Sequence, residues 1–190
     1  MIKVTTFSRY NLLILTSLVE GLVLIAALLI AWFFGIKLIP LSQNVFHDIM
    51  IGPLGALMPL ILFAFLLSEK VNNTPLLGPL KKTIVNDIRI IFSNSRLVDL
   101  CFISVFAGVA EELLFRGVIQ VKLGITGASI IFGLLHFITP AYWIIATIMG
   151  FYLGFLFQYY ESLLIPIQLH FIYDLGALLY LRYFYIGRPL

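Results

Sequence analysis

The stretch LCFISVFAGVAEELLFRGVIQVK, residues 100–122, is apolar enough for lipid and yet holds three clustered charges. An ionisable side chain at the centre of a membrane helix costs about 2.5–3.5 kcal/mol even on the insertion scale. Glu111, Glu112 and Arg116 nevertheless lie within two turns of one predicted helix. The stretch therefore predicts a membrane helix whose charged side chains form a functional site.

The composition of the whole chain excludes a soluble domain. Hydrophobic residues make up 62% and charged residues 11% of the 190 residues, and the mean hydropathy is +1.09. The apolar residues form long blocks, and only helices can satisfy their backbone groups in lipid without closing a barrel. We therefore predict an all-α integral membrane protein. Basic and aromatic residues do not interleave as in nucleic-acid-binding proteins, so no nucleic-acid partner is expected.

Six apolar blocks are long enough to be candidate transmembrane helices. They cover residues 11–34, 49–67, 100–122, 125–138, 141–160 and 163–185. We expect one membrane domain, residues 1–190, in which the third to sixth spans (100–185) form a four-helix catalytic core. Residues 1–99 would then supply two accessory spans and a basic cytoplasmic loop.

The basic residues indicate how the chain is oriented. Alternation of six spans places nine of the twelve lysines and arginines on one side and three on the other, which predicts cytoplasmic termini in a multi-pass protein of the plasma (inner) membrane. The nine are Lys3, Arg9, Lys70, Lys81, Lys82, Arg89, Arg96, Arg182 and Arg188. Between spans two and three, Ile84, Ile88, Ile91 and Phe92 have helical spacing, which fits a surface helix or a loop with a short helix.

The polar residues inside the spans fall at matched depths. If the turn between spans three and four centres on Leu123 and Gly124, Glu111 and His136 are equally far from it. His170 and Asp174 follow the turn near Glu161 by about 8 to 12 residues, which at about 1.5 Å per residue places them at a similar depth. The sequence thus predicts that the side chains of Glu111, His136, His170 and Asp174 lie at one depth in the membrane.

Helical phase suggests a different role for each group. Glu112 and Arg116 are four residues apart and can form a supporting ion pair. Glu111 lies about 100° around the helix and faces His136, a pair that can bind and deprotonate water. His170 and Asp174 would stand where an oxyanion forms, which suggests hydrolysis of a peptide bond.

At these residues the chain resembles the CAAX prenyl endopeptidase and bacteriocin-processing family of membrane proteins, also called the CPBP or ABI family. The family pattern is Glu-Glu-x-x-x-Arg, Phe-x-x-x-His and His-x-x-x-Asn or Asp. This chain has the three motifs in order, at 111–116, 132–136 and 170–174. The resemblance implies a glutamate-type intramembrane endopeptidase without a cofactor, in which Glu111 and His136 activate water, His170 and Asp174 stabilise the oxyanion, and Glu112 and Arg116 support the site.

One departure from the family pattern concerns Asp174. The best-understood prenyl-protein members have asparagine there, which can donate a hydrogen bond to an oxyanion, whereas an ionised aspartate cannot. Either the surroundings keep Asp174 protonated, or Asp174 accepts a hydrogen bond from the His170 ring and fixes its tautomer, and we favour the second alternative.

Other functions remain open at this stage. Glu111, His136 and His170 could bind zinc as a catalytic metal, although the sequence has no His-Glu-x-x-His spacing. A non-catalytic scaffold or a proton-relay transporter would use the same residues, and single polar groups often only join helices.

The expected partners are the lipid bilayer and a membrane-associated protein or peptide substrate, such as a prenylated CAAX tail, a bacteriocin leader or a sorting tail. Glu20 is expected to form an interhelical contact outside the site.

Overall fold

The computed structural model describes residues 8–185, and these form helices and connecting turns without a β-strand. The predicted all-α class is therefore confirmed. The long helices are α1 (Arg9–Phe33), α2 (Val45–Leu66), α5 (Leu97–Leu114), α6 (Val121–Leu135), α7 (Pro140–Tyr160) and α8 (Leu164–Leu179), and the short ones are α3 (Leu77–Thr83) and α4 (Arg89–Ile91). A 3-10 turn covers Glu69–Val71, and π-helical segments cover Ile84–Ile88, Phe115–Gln120 and Tyr180–Phe184.

The six long helices correspond to the six predicted spans, with ends that differ by a few residues. Side chains define two of the helix starts, where Asn44 accepts a hydrogen bond from the His47 amide and Thr139 accepts one from the Tyr142 amide. The predicted turn between spans three and four appears at Gly124, whose φ of 72° breaks the helical path. Glycine reaches this left-handed region without the steric cost of a Cβ atom.

Four helices are long and apolar enough to cross a membrane: α1, α2, α7 and the continuous helical segment Leu164–Tyr183. The remaining two predicted spans do not combine this length with so few charges, since α6 has only 15 residues and α5 carries three carboxylates. These findings, together with the composition, identify an integral membrane protein. The prediction of six passes stays a prediction.

The long helices pack in a chain of neighbours, in which α1 contacts α5, α5 contacts α8, α8 contacts α2, and α6 contacts α7. Two glycines permit close approach of helix backbones. A Cβ atom at Gly108 of α5 would lie 3.1 Å from the Ile167 carbonyl oxygen of α8, and one at Gly150 of α7 would lie 2.9 Å from the Ser129 Cα atom of α6. Small residues at such crossings are typical of membrane helix packing.

The segment between α2 and α5 is largely helical and packs onto the bundle. Ile84 and Val85 are buried with Leu66, Ala141 and Leu181 in one apolar cluster. The predicted apolar face is therefore partly directed at the protein itself. Lys3 and Arg188, two of the nine basic residues assigned to the cytoplasmic side, lie outside the described residues.

Candidate active site

The two adjacent glutamates of α5 point in different directions and have different exposure. The Glu112 side chain is 0% exposed, whereas the Glu111 side chain is 15% exposed and lines a cavity. This difference follows from the 100° rotation between neighbouring helix positions. The structure thus places Glu111 where a small molecule can reach it and encloses Glu112 among other helices.

Glu112 is the centre of a buried ionic network. Its Oε1 atom accepts a hydrogen bond from Arg116 Nη1 at 3.1 Å and contacts His170 Nδ1 at 2.8 Å. Arg116 is also fully enclosed, and its Nη2 atom donates to the Gly150 carbonyl oxygen at 3.1 Å. The predicted Glu112–Arg116 pair is present, and it joins α5 to α7 and α8 as well. The contact of Glu112 with His170 was not predicted.

His136 ends α6 and is held by Phe132, the first residue of its motif. The His136 Nδ1 atom lies 2.8 Å from the Phe132 carbonyl oxygen, which can only accept, so Nδ1 carries the hydrogen. The Phe132 ring stacks on the imidazole at 4.2 Å, and the Arg116 guanidinium lies 4.8 Å above the same ring. The spacing of four residues thus sets both the tautomer and the orientation of His136.

The other nitrogen of His136 faces Glu111. The distance from His136 Nε2 to Glu111 Oε2 is 3.4 Å, which is long for a direct hydrogen bond. In a neutral His136 this nitrogen is an acceptor, as are both oxygens of an ionised Glu111. The predicted pair is therefore brought together beside the cavity, where each residue presents an acceptor.

His170 is flanked by carboxylates at both ring nitrogens. Its Nδ1 atom contacts the buried Glu112, and its Nε2 atom lies 3.4 Å from Asp174 Oδ2. The expectation that Asp174 alone fixes the ring is therefore incomplete, because Glu112 makes the shorter contact. Only the imidazolium form can donate from both nitrogens. With Glu112, Arg116 and Asp174, a charged His170 would make a group of two cations and two anions.

A cavity of about 110 Å³ lies between these residues. This volume accepts several water molecules, since about 10–15 Å³ of such volume suffices for one. Its lining includes the predicted Glu111, His136, His170 and Asp174, and in addition Phe132, Tyr142, Ile145, Ala146, Met149, Leu153 and Tyr173. The structure thus brings all four predicted residues to one cavity.

Two further cavity residues, both tyrosines, belong to none of the three sequence motifs. Tyr142 lies in the first turn of α7, and Tyr173 precedes Asp174 on α8. Tyrosine is common in membrane proteins, so composition does not single these two out. The pair Thr139-Pro140 is typical of a helix start, and Tyr142 lies in the first turn of that helix, directly after the loop that follows His136. This pattern could have indicated Tyr142.

Glu20 of α1 is close to the site, whereas an interhelical contact outside the site was expected for it. Its carboxylate lies within electrostatic range of Glu111, His136, His170 and Asp174. Its Oε2 atom is buried and has no hydrogen-bond partner within residues 8–185. The α1 helix, described above as accessory, thus brings a carboxylate toward the cavity through its packing on α5.

The alternative zinc set would consist of Glu111, His136 and His170. Zinc needs a free nitrogen from each histidine. Nδ1 of His136 bonds to the backbone and leaves Nε2 toward Glu111, whereas both nitrogens of His170 face carboxylates. Within the described part of the chain, no three His, Cys, Asp or Glu side chains are grouped closely enough to hold a metal ion.

Comparison with known proteins gives a match over the segment that holds all three motifs. The family model described as type II CAAX prenyl endopeptidase Rce1-like matches residues 93–176. Uncharacterized protein YpbD of Bacillus subtilis (strain 168) is 35% identical over 101 residues, which are 52% of this chain and 53% of YpbD. The chain thus spans about half the length of that relative, and no solved structure gives a significant match.

Proposed function

We propose that the protein, whose residues 93–176 match the family model described as type II CAAX prenyl endopeptidase Rce1-like, is an intramembrane endopeptidase. The match supports a membrane protease in general terms. The substrate class that fits is a membrane-associated protein or peptide, whose scissile bond reaches the cavity beside Glu111. One observation carries the proposal: Glu111 and His136 present converging acceptors in a cavity that also contains His170.

The first step in this proposal is water activation. A water molecule donates one hydrogen bond to Glu111 and one to His136 Nε2, whose tautomer the Phe132 carbonyl sets. Glu111 takes the proton as the water oxygen forms a bond to the carbonyl carbon, and the carbonyl electron pair moves onto its oxygen. General base catalysis of this kind contributes about 10²–10⁴-fold.

The second step is collapse of the tetrahedral intermediate. His170 is anchored through Nδ1 by Glu112, and its Nε2–H makes only a long contact of 3.4 Å with Asp174, so it can donate to the oxyanion. When the oxyanion returns its electron pair, the carbon–nitrogen bond breaks and the amine nitrogen takes the proton held by Glu111. Glu112 and Arg116 act as supports, because they are enclosed and touch no part of the cavity.

We propose further that this reaction needs no metal or cofactor, on the ground that both ring nitrogens of His170 already face carboxylates. Residues 100–185 would form the catalytic core of a single domain that spans the plasma membrane several times with both termini in the cytoplasm. Prolonged treatment of the purified protein with a chelator should leave its activity intact. Loss of activity that zinc alone restores would overturn this part of the proposal.

The experiment that tests the function compares the termini of membrane proteins in cells with the wild type and with Glu111→Gln. Peptide termini that disappear in the variant identify the cleaved proteins, and a synthetic peptide of that sequence then serves as substrate for the purified enzyme. Glu69→Gln, a change at an exposed glutamate, is the matched control. If no terminus depends on Glu111 while both variants are produced normally, the protease proposal fails.

A further inference from the structure

The site described above lacks one feature that amide hydrolysis requires. An oxyanion is usually held by two donors, and His170 Nε2–H supplies one. The residue beside it, Asp174, is an acceptor when ionised and would repel the developing negative charge. A second donor must therefore come from another side chain of the same cavity.

Two tyrosines line this cavity, Tyr142 and Tyr173. A phenol is a neutral donor that adds no charge to the site, and its hydrogen bond to an anion is stronger inside the protein than in water. Tyr142 lies within electrostatic range of both Asp174 and Glu111. It is thus placed near both carboxylates between which the reacting carbonyl must lie.

Tyr173 is less suitable for this role. Asp174 is among its electrostatic neighbours, and its ring packs edge-on against Phe63 of α2 at 6.3 Å. Tyr142 also packs on apolar side chains, beside the cluster that contains Leu66 and Ala141, so packing alone does not distinguish the two tyrosines. Tyr142 lies within electrostatic range of Glu111 as well as Asp174, and it lines the cavity from the first turn of α7, where its backbone amide is bonded to Thr139.

We propose that Tyr142 is a catalytic residue that donates its hydroxyl hydrogen bond to the tetrahedral oxyanion, as the partner of His170. This inference rests on the proposed protease function and extends it. The tyrosine keeps its proton throughout, so the proton balance through Glu111 is unchanged. In this arrangement Tyr142 provides the donor that an asparagine at position 174 would otherwise supply.

The test is a double-mutant cycle of Tyr142→Phe and Asp174→Asn, measured on the Glu111-dependent peptide. Tyr142→Phe alone should lower kcat by about 10²–10³-fold, the usual cost of one oxyanion donor, with little change in KM. In the Asp174→Asn background the same change should cost less than about tenfold, because the asparagine amide now donates. Tyr173→Phe should cause a smaller loss than Tyr142→Phe.

Two controls separate catalysis from folding. Tyr152→Phe removes a hydroxyl that donates to the Gly55 carbonyl oxygen between α7 and α2, at 2.9 Å, and it should leave kcat unchanged. The melting temperature of Tyr142→Phe in detergent should stay near that of the wild type. Wild-type activity in Tyr142→Phe, or an equal loss with aspartate and with asparagine at position 174, would overturn the inference. Absence of any Glu111-dependent cleavage would instead overturn the protease function itself.

Discussion

Replacement of Glu112 by glutamine is the most informative perturbation of the buried network. The change preserves the size of the side chain and removes one negative charge. It leaves Arg116, 1% exposed, without its anion, and it replaces a charged acceptor of His170 by an amide. Removal of one partner from a buried ion pair costs about 3–5 kcal/mol.

The expected effect on stability follows from that free energy. For a chain of this length, 1 kcal/mol corresponds to about 2–4 °C in the melting temperature, so Glu112→Gln should lower it by about 6–20 °C. Activity should fall with it, because Glu112 anchors the His170 ring. Glu111→Gln should instead abolish cleavage and change the melting temperature by little, since Glu111 makes only the long contact with His136.

The assay is thermal unfolding of detergent-solubilised protein, followed by the loss of the monodisperse peak in size-exclusion chromatography. Cleavage of the Glu111-dependent peptide is measured on the same preparations. Glu69→Gln controls for the amide substitution at an exposed position. A Glu112→Gln protein that melts within about 2 °C of the wild type would refute the assignment of Glu112 as the buried support.

The remaining predictions concern packing and the turn beside the site, each measured as a change in melting temperature. Gly150→Ala should destabilise the protein by about 1–3 kcal/mol, because the added Cβ atom would lie 2.9 Å from the Ser129 Cα atom. Gly124→Ala should cost about 1–2 kcal/mol, since φ is 72° at this turn. Phe132→Leu should cost about 1–3 kcal/mol and lower activity, because it removes the ring between Arg116 and His136. Wild-type melting in any of these variants would contradict the contact concerned.

Much of the fold was predictable because a bilayer restricts the alternatives. Apolar blocks of about 20 residues in a membrane must be helices, so the all-α class and the number of long helices followed from hydropathy alone. The turn at Gly124 followed from the break between two such blocks. The exact helix ends did not, because they depend on caps such as that at Thr139 and on π-helical segments such as Phe115–Gln120.

The residues of the candidate site could be predicted from the sequence, whereas the contacts between them could be predicted only in part. Residues four apart on a helix are neighbours, so the Glu112–Arg116 pair and the proximity of His170 to Asp174 could be read from spacing. The contact between Glu112 and His170 could not, because it depends on the rotation of α5 against α8. That rotation is set by close contacts such as that at Gly108.

Composition and helical spacing thus predict the membrane environment, the helical class and the set of charged side chains that lipid would not tolerate without a partner. The packing of the helices determines which carboxylate is enclosed and which lines the cavity, because exposure depends on neighbouring helices. It also brought Tyr142 and Glu20 near the site, from helices whose sequences carry none of the three motifs. The physical reason is that helical periodicity fixes relations within a helix, whereas packing between helices fixes the relations across a cavity.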